Sequence, residues 1–302
     1  MPKKANLIDV KILKYISSKF EGYIQFREKQ IEDKKWKDLF KNEERVIIEI
    51  YPGIKFFLYK DNILSKLIYN GFEEDEISFI HSYLETGDYF FDIGANVGLF
   101  SLIAASKIGK EGKIFSFEPT PSTYNKLLEN IGLNKFENIT PINIGLSDKE
   151  EYLKLKISDL GYDAWNTFAP SNDIKVLEEV IVPVKSLDDV IKEYSIDFGK
   201  VSLIKIDVEG WEKFVLNGAT SLIASENAPV FLMEFTESNT FNAGYLCQDL
   251  YDLMEGYGFK WYSYNKKENC LNWDKKRLHY PYNNLIAVKN QDKIKTRIRI
   301  NE

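Results

Sequence analysis

Four acids close apolar runs in this chain: Asp92 after Tyr89-Phe90-Phe91, Glu118 after Ile114-Phe115-Ser116-Phe117, Asp207 after Ile204-Lys205-Ile206, and Glu234 after Val230-Phe231-Leu232-Met233. Gly94-Ala95-Asn96-Val97-Gly98 follows the first, and a glycine pair of this kind suits a tight turn where backbone comes close to a ligand. The spacing lacks the G-x-G-x-x-G of a dinucleotide loop, and a carboxylate at position 92 repels a pyrophosphate. Asp92 suits instead a ligand with a cationic amino group. Glu118 comes one strand-and-helix unit later, where an acid holds a ribose diol. The two acids together describe an adenosine-containing ligand without phosphates, such as S-adenosylmethionine.

Lys205, Asp207 and Glu209 alternate, so an extended backbone puts them on one side. A carboxylate within reach of a hydroxyl can act as general base. Asp207, where its strand opens to the crevice, is the first choice for that role. Glu209 would orient the acceptor or the base, and Lys205 would offset charge or stabilise a developing alkoxide. Asp207, Glu209 and Glu234 also carry the hard oxygen donors of a magnesium or calcium site. Fixed ligand spacing is absent, and no metal is expected. His279 and Tyr282 sit before the last strand, where a loop could wall an acceptor pocket. The long polar stretch 159–173 contains Trp165 and Asn166, and loops of that length often carry function. With Glu234, these four residues are the candidate acceptor contacts.

The elements that must position these groups follow from periodicity. Residues 89–93, 113–119, 139–144, 201–207 and 230–235 read as strands separated by helical patterns, which implies a doubly wound sheet with its ligand crevice at the strand tips. Thr120-Pro121 starts one crossover helix, and Ser186 with Asp189 starts another. Tyr51-Pro52-Gly53-Ile54 marks a hairpin. Residues 152–157 and 180–184 read as extended, outside the simple alternation. Residues 5–40 read as one or two amphipathic helices, solvated and peripheral; pairing with a partner chain, as in a homodimer, and packing on the main domain are the other readings. The charged tail from 289 is expected to fray. The division expected is 1–70 as a helical and hairpin extension, 71–290 as the main domain and 291–302 as the tail.

Composition bounds the rest. The 302 residues are 44% hydrophobic with a formal charge of -6, enough for a large core. No basic stripe favours nucleic acid. No run of about twenty apolar residues suggests a membrane span, and no apolar segment follows the basic start to make a signal peptide. Cys247 and Cys270 lack companion histidines, so zinc is not expected; two reduced thiols in a cytoplasmic protein is the simplest reading.

Phe91-Asp92-Ile93-Gly94-Ala95-Asn96-Val97-Gly98-Leu99-Phe100 and Ile204-Lys205-Ile206-Asp207-Val208-Glu209-Gly210-Trp211-Glu212 resemble the two characteristic motifs of the FkbM family of S-adenosylmethionine-dependent methyltransferases. Phe115-Ser116-Phe117-Glu118-Pro119, Leu146-Ser147-Asp148 and Ser186-Leu187-Asp188 match in order. The resemblance covers about residues 70–236 well. It implies an α/β, Rossmann-like class I methyltransferase fold with a mostly parallel seven-stranded sheet whose last strand is antiparallel. It implies that Gly94, Ala95, Asn96 and Gly98 wrap the cofactor's amino-acid end, with Phe100 in the same motif. Glu118, beside Pro119, would take the ribose, and Ser147-Asp148 would border the adenine. It also implies O-methylation of a hydroxyl on a saccharide, glycan or polyketide; a saccharide or glycan acceptor is the leading expectation. The alternatives are N-methylation of an amino sugar or small amine, and an inactive cofactor-binding scaffold in a glycan-assembly complex.

Overall fold

The computed structural model of the protein describes residues 7–158, 166–169 and 176–301. The chain opens with α1 (Leu7–Phe40), the hairpin β1 (Arg45–Tyr51) and β2 (Ile54–Tyr59), then α2 (Ile63–Tyr69) and α3 (Glu74–Tyr83). Alternation begins with β3 (Tyr89–Ile93), α4 (Leu99–Ile108), β4 (Lys113–Phe117), α5 (Pro121–Asn134) and β5 (Ile139–Ile142). A separate three-stranded sheet is built from β6 (Gly145–Leu146), β7 (Glu151–Ser158) and β8 (Val176–Lys185). The alternation resumes with α6 (Leu187–Glu193), β9 (Val201–Ile206), α7 (Glu212–Asn217), α8 (Thr220–Ala224) and β10 (Val230–Phe235). Then come α9 (Glu237–Asn242), α10 (Cys247–Gly256), β11 (Lys260–Asn265), β12 (Cys270–Trp273), β13 (Asn283–Val288), α11 (Gln291–Lys295) and β14 (Arg299–Asn301). No helix among the described residues is long and apolar enough to cross a membrane.

Nine strands form the main sheet in the order β14-β12-β11-β13-β10-β9-β3-β4-β5. β5, β4, β3, β9 and β10 run parallel, and β13 enters antiparallel between β10 and β11. This is the expected Rossmann-like sheet with its inverted last strand, extended at one edge by β12 and β14. From β3 the chain winds outward through β4 and β5, then returns to place β9 on the other side of β3. The tips of β3 and β9 therefore frame the crevice where open α/β sheets bind ligands.

Both faces of the sheet are covered, which is why its central strands are nearly continuous apolar runs. Phe90, Leu203 and Leu232 pack into one layer with α3, α4 and the β1–β2 hairpin. Phe91, Ile204 and Phe231 pack into the other with α6, α7, α8 and α10. Pro141 is tolerated because β5 lies at the edge of the sheet, where a missing donor costs no ladder bond.

Residues 7–40 form a single helix, and its end is not peripheral: Trp36 and Phe40 are buried. The Trp36 indole donates to the Lys60 carbonyl at 3.0 Å. The hairpin is held to the main layer by α5. There the Asn134 amide brackets Lys55, accepting from its N–H at 2.8 Å and donating to its carbonyl at 2.7 Å. The tail also departs from expectation. Instead of fraying, it buries Ile294 and Ile298 and pairs β14 with β12. Charge hid this, because Arg297 is spent inside the fold, bound through both terminal guanidinium nitrogens to Asp88 at the foot of β3. Ser202 also donates to Asp88, at 2.7 Å. Replacing Arg297 with methionine leaves that carboxylate buried with its countercharge gone. The expected cost is about 3 kcal/mol, read as a lower denaturation midpoint with an unchanged slope.

Candidate active site

The cradle at the tip of β3 is set by sterics. Gly94 has φ +80°, and a Cβ there would lie 1.9 Å from the Asp207 carbonyl oxygen. The backbone N–H groups of Gly94 and Ala95 both donate to the Phe117 carbonyl, at 3.0 and 2.9 Å. The turn is thereby tied to the tip of β4 and pressed against the tip of β9. Gly98 (φ +94°) caps α4, where a Cβ would meet Leu127 at 2.6 Å. Glu118, buried at the tip of β4, accepts from the backbone N–H groups of Asn96 at 3.0 Å and Thr120 at 2.8 Å.

Two cavities meet at this turn and share Gly94, Asn96, Asp207 and Glu209 as walls. The smaller, about 50 Å³, is lined by Glu118, Pro119, Thr120, Leu146, Asn166 and Phe168 among others. The larger, about 510 Å³, has an apolar wall of Leu64, Ile68, Phe72, Leu99 and Phe100. Facing that wall are Lys205, Asp207, Glu209, Glu234, Glu73 and Tyr282.

The polar wall is an unequal balance of charge. Lys205 is almost wholly buried, 2.7 Å from Asp207 Oδ2 and 4.5 Å over the Phe100 ring. Burial opposes its charge, but Asp207, Asp92 and Glu73 outweigh burial and hold the ammonium above its usual range. Burial pushes Glu209 well above the carboxylate range, and Asp207 and Glu212 add to it. Burial does the same to Glu234, with Glu209 and Asp207 adding their repulsion. Glu73 is raised to about 8, by burial first and then by Asp207. The cluster is therefore one ion pair, Lys205–Asp207, beside three carboxyls whose protonated forms are favoured by burial. Asp207, Glu209 and Glu234 offer oxygens within 4.8 Å of one another, the donor set weighed above for a divalent cation. Asp207 already has an ammonium for its partner.

Glu209 arrives by a different route from the strand alternation expected. β9 ends at Ile206, and Glu209 (φ 53°) with Gly210 (φ 95°) turns left-handed. Gly210 is required there, because a Cβ would lie 2.4 Å from the Asn239 carbonyl oxygen. The Asn239 amide then donates to Glu209 at 2.6 Å. Glu212 fixes this turn from α7. One oxygen accepts from the N–H groups of Val208 (3.1 Å) and Gly210 (3.2 Å), and the other accepts from the Tyr245 hydroxyl (3.0 Å). Glu212 stood inside a quoted motif without a role, and only the turn it clamps reveals one.

Burial raises Glu212 to about 7, against the backbone N–H groups that favour its anion. Unfolded, the same carboxyl titrates near about 4.3. Between these values the folded chain holds a proton that the unfolded chain has lost, so this group's contribution to stability falls as pH rises through that window. Glu212→Gln stays neutral throughout. Its stability relative to the parent is expected to improve from pH 5 to about pH 7 and to level off above that, as read by denaturant melts at each pH.

Several expected contacts fall elsewhere. Asp92 lines neither cavity. Alternation along β3 turns Phe91 and Ile93 to one face and Asp92 to the other, under α4. There it is fully buried and accepts from Ser101 Oγ at 2.5 Å. Ser147 and Asp148 line neither cavity; Ser147 Oγ instead accepts from the Trp211 indole at 3.2 Å. His279 is on the surface, 67% exposed, with Nδ1 3.9 Å from Glu237. Asn166 is at the smaller cavity, donating to Thr120 Oγ1 at 3.3 Å, rather than with the acids. Trp165 lies outside the described residues. Ala95, Asn96, Phe100, Lys205, Asp207, Glu209, Glu234 and Tyr282 all line the larger cavity. Glu73 also lines the larger cavity, and nothing singles it out from the run Glu73-Glu74-Asp75-Glu76 in the sequence.

The profile of the Methyltransferase FkbM domain matches residues 92–261. The hexuronic acid methyltransferase AglP of Haloferax volcanii is 28% identical over 157 residues, covering 51% of this chain and 59% of that protein. The methyltransferase sdnD of Sordaria araneosa is 31% identical over 161 residues, covering 45% of this chain and 61% of that one. The chain thus spans about three fifths of the length of these relatives. Among solved structures, a TehB-like SAM-dependent methyltransferase from Corynebacterium glutamicum aligns at a TM-score of 0.41 and 10% identity, over 75% of this chain and 94% of that one.

Proposed function

Because the chain belongs to the FkbM methyltransferase family, whose cofactor is S-adenosylmethionine, we propose that it methylates a hydroxyl of a saccharide or glycan. The observation that carries this reading is the pair of cavities joined at Gly94, one holding Glu118 and the other an ion pair beside an apolar wall. The residues present fit the cofactor. A side chain at 94 would fill the cradle against Asp207, and the Glu118 carboxylate in the wall of the smaller cavity could accept from a ribose diol. Gly94, Ala95 and Asn96 would hold the amino-acid end; Glu118 and Pro119 would hold the nucleoside. When bound, S-adenosylmethionine supplies an electrophilic methyl on a sulfonium.

The chain's own residues supply the rest. With the methyl's bond to sulfur breaking as its bond to the acceptor oxygen forms, the acceptor would lose its O–H proton to the carboxylate of Asp207. Burial and mutual repulsion favour the protonated forms of Glu209 and Glu234, whereas Asp207 is ion-paired with Lys205, so its carboxylate is the base of choice. Lys205 steadies the oxygen as negative charge develops on it. Leu64, Ile68 and Phe72 keep water from the reacting atoms. A carbohydrate acceptor also has the support of the relative AglP, named for a hexuronic acid. The two unpaired thiols, Cys247 and Cys270, fit work in a reducing cytoplasm.

Calorimetry with S-adenosylhomocysteine and with NAD tests the cofactor, and binding of NAD only would end the reading. Transfer of labelled methyl to a cell-derived glycan pool, with the label mapped by mass spectrometry, tests the acceptor. Label on oxygen is expected. Label confined to nitrogen would replace the hydroxyl by an amine, and cofactor binding with no transfer to any pool would leave a scaffold.

A further inference from the structure

Glu73 and Tyr282 stand in the larger cavity but outside residues 92–261, so the family match assigns them nothing. Glu73 is the residue before α3, the place for a capping acid, yet its side chain makes no capping bond. Its backbone is left-handed, φ 49° and ψ 45°, a conformation that costs a glutamate and is kept where the surroundings demand it. The turn aims the carboxyl inward. Oε1 accepts from the Tyr282 hydroxyl at 2.9 Å. Oε2 is buried with no hydrogen-bond partner among the described residues. A buried polar atom left unmatched calls for an explanation, and here it stands in the wall of a cavity about 510 Å³ in volume.

The surroundings restrict what could match it. Of the described residues lining this cavity, four are acids (Glu73, Asp207, Glu209 and Glu234), and Lys205 is the single Lys, Arg or His. Lys205 is already paired with Asp207. An anionic guest would meet carboxyls and no unspent cation, an arrangement that rejects as well as binds. A neutral polyol meets donors and acceptors together: the Tyr282 hydroxyl, the Asn239 and Asn242 amides, and the carboxyl of Glu73. Its C–H face can lie on Leu64, Ile68 and Phe72.

We propose that Glu73, held by Tyr282, binds the acceptor, and that the half-cavity they complete selects an uncharged hydroxylated molecule over one bearing a carboxylate or phosphate. The inference rests on the methyltransferase reading for which half of the crevice receives the acceptor.

The test uses the full chain saturated with S-adenosylhomocysteine and three matched probes: methyl glucoside, methyl glucuronide and glucose 6-phosphate. Titrations are followed by ligand-observed NMR. The glucoside is expected to bind at least about tenfold more tightly than either anion. Glu73→Lys, which adds a cation with no partner, is expected to narrow that ratio to about threefold or less. Tyr282→Phe, at a half-exposed position that threatens folding little, is expected to weaken the glucoside about fivefold. Melting curves confirm that each variant is folded, and if the lysine variant is not, the tyrosine variant decides. An anion that binds the parent as tightly as the glucoside overturns the proposal. So does a glucoside affinity unmoved in folded Tyr282→Phe, or no binding of the glucoside at all. Product analysis separates this from the broader reading. Methyl found only on the nitrogen of an amino sugar would sink hydroxyl transfer and leave the charge selection standing. Oxygen transfer with a preference for the glucuronide would do the reverse.

Discussion

Replacing Asp207 with asparagine is expected to lower methyl transfer to hydroxyl acceptors by roughly 10²–10⁴-fold, the usual contribution of a positioned general base. Asparagine keeps the volume and a hydrogen bond to Lys205, whose ammonium lies 2.7 Å from Asp207 Oδ2, but it cannot accept the acceptor's proton. Binding of S-adenosylhomocysteine should persist, because the Gly94 cradle meets the backbone carbonyl of residue 207 and not its side chain. The loss should fall on kcat far more than on KM, since proton acceptance matters only as the O–C bond forms. An amine acceptor, already unprotonated when it reacts, should lose less than about tenfold. Single-turnover rates with matched alcohol and amine acceptors measure the difference. An asparagine variant within tenfold of the parent on alcohols, alongside an inactive Glu234→Gln, would move the proton to Glu234.

Gly94→Ala is expected to be severely damaging, since its Cβ would make the shortest approach of any described glycine. The new Cβ would stand 1.9 Å from the Asp207 carbonyl oxygen, a backbone atom that cannot rotate away. Relief requires the tips of β3 and β9 to part, and both are fixed by the ladder and by the Asp207 N–H donating to Ile93 at 3.1 Å. Left-handed strain adds about 1–2 kcal/mol to an overpacking cost of about 1–3 kcal/mol. A loss of about 3 kcal/mol in denaturant melts is expected, with S-adenosylhomocysteine binding reduced beyond detection at micromolar concentrations. Gly53→Ala is the control. Gly53 also has positive φ (+79°), but a Cβ there meets nothing within 4 Å. It should cost no more than about 1–2 kcal/mol and leave cofactor affinity unchanged.

The sheet was legible in the sequence because its central strands are buried on both faces. Phe90-Phe91 and Leu203-Ile204 are unbroken apolar pairs that only such a strand requires. The glycine turn was legible for a steric reason, and the acids at 118, 207 and 234 because a strand tip exposes one side chain at a known edge. Asp92 shows the limit of that argument. It belongs to the last turn of alternation inside its strand, and parity, which the sequence carries, sends it under α4 toward Ser101. Reading every acid at a strand end as facing the crevice ignores that parity. Glu73, Glu212 and Asn239 were beyond reach for another reason. Each acts through a left-handed residue, Glu73 by its own backbone and the other two through the Glu209–Gly210 turn. No local pattern marks a glutamate for φ > 0. The tail misled because charge was equated with solvent, whereas Arg297 is the buried partner of Asp88.

That last pairing also orders events during synthesis. Asp88 leaves the ribosome 209 residues before the guanidinium that neutralises it. Until Arg297 emerges, the foot of the central strand carries a carboxylate whose burial is uncompensated, and the sheet's middle cannot settle around it cheaply. Closing so long a loop is slow. The chain should therefore stay protease-sensitive at 84–90 until Arg297 is free to reach Asp88, and released chains truncated just before and just after residue 297 would differ in cleavage there.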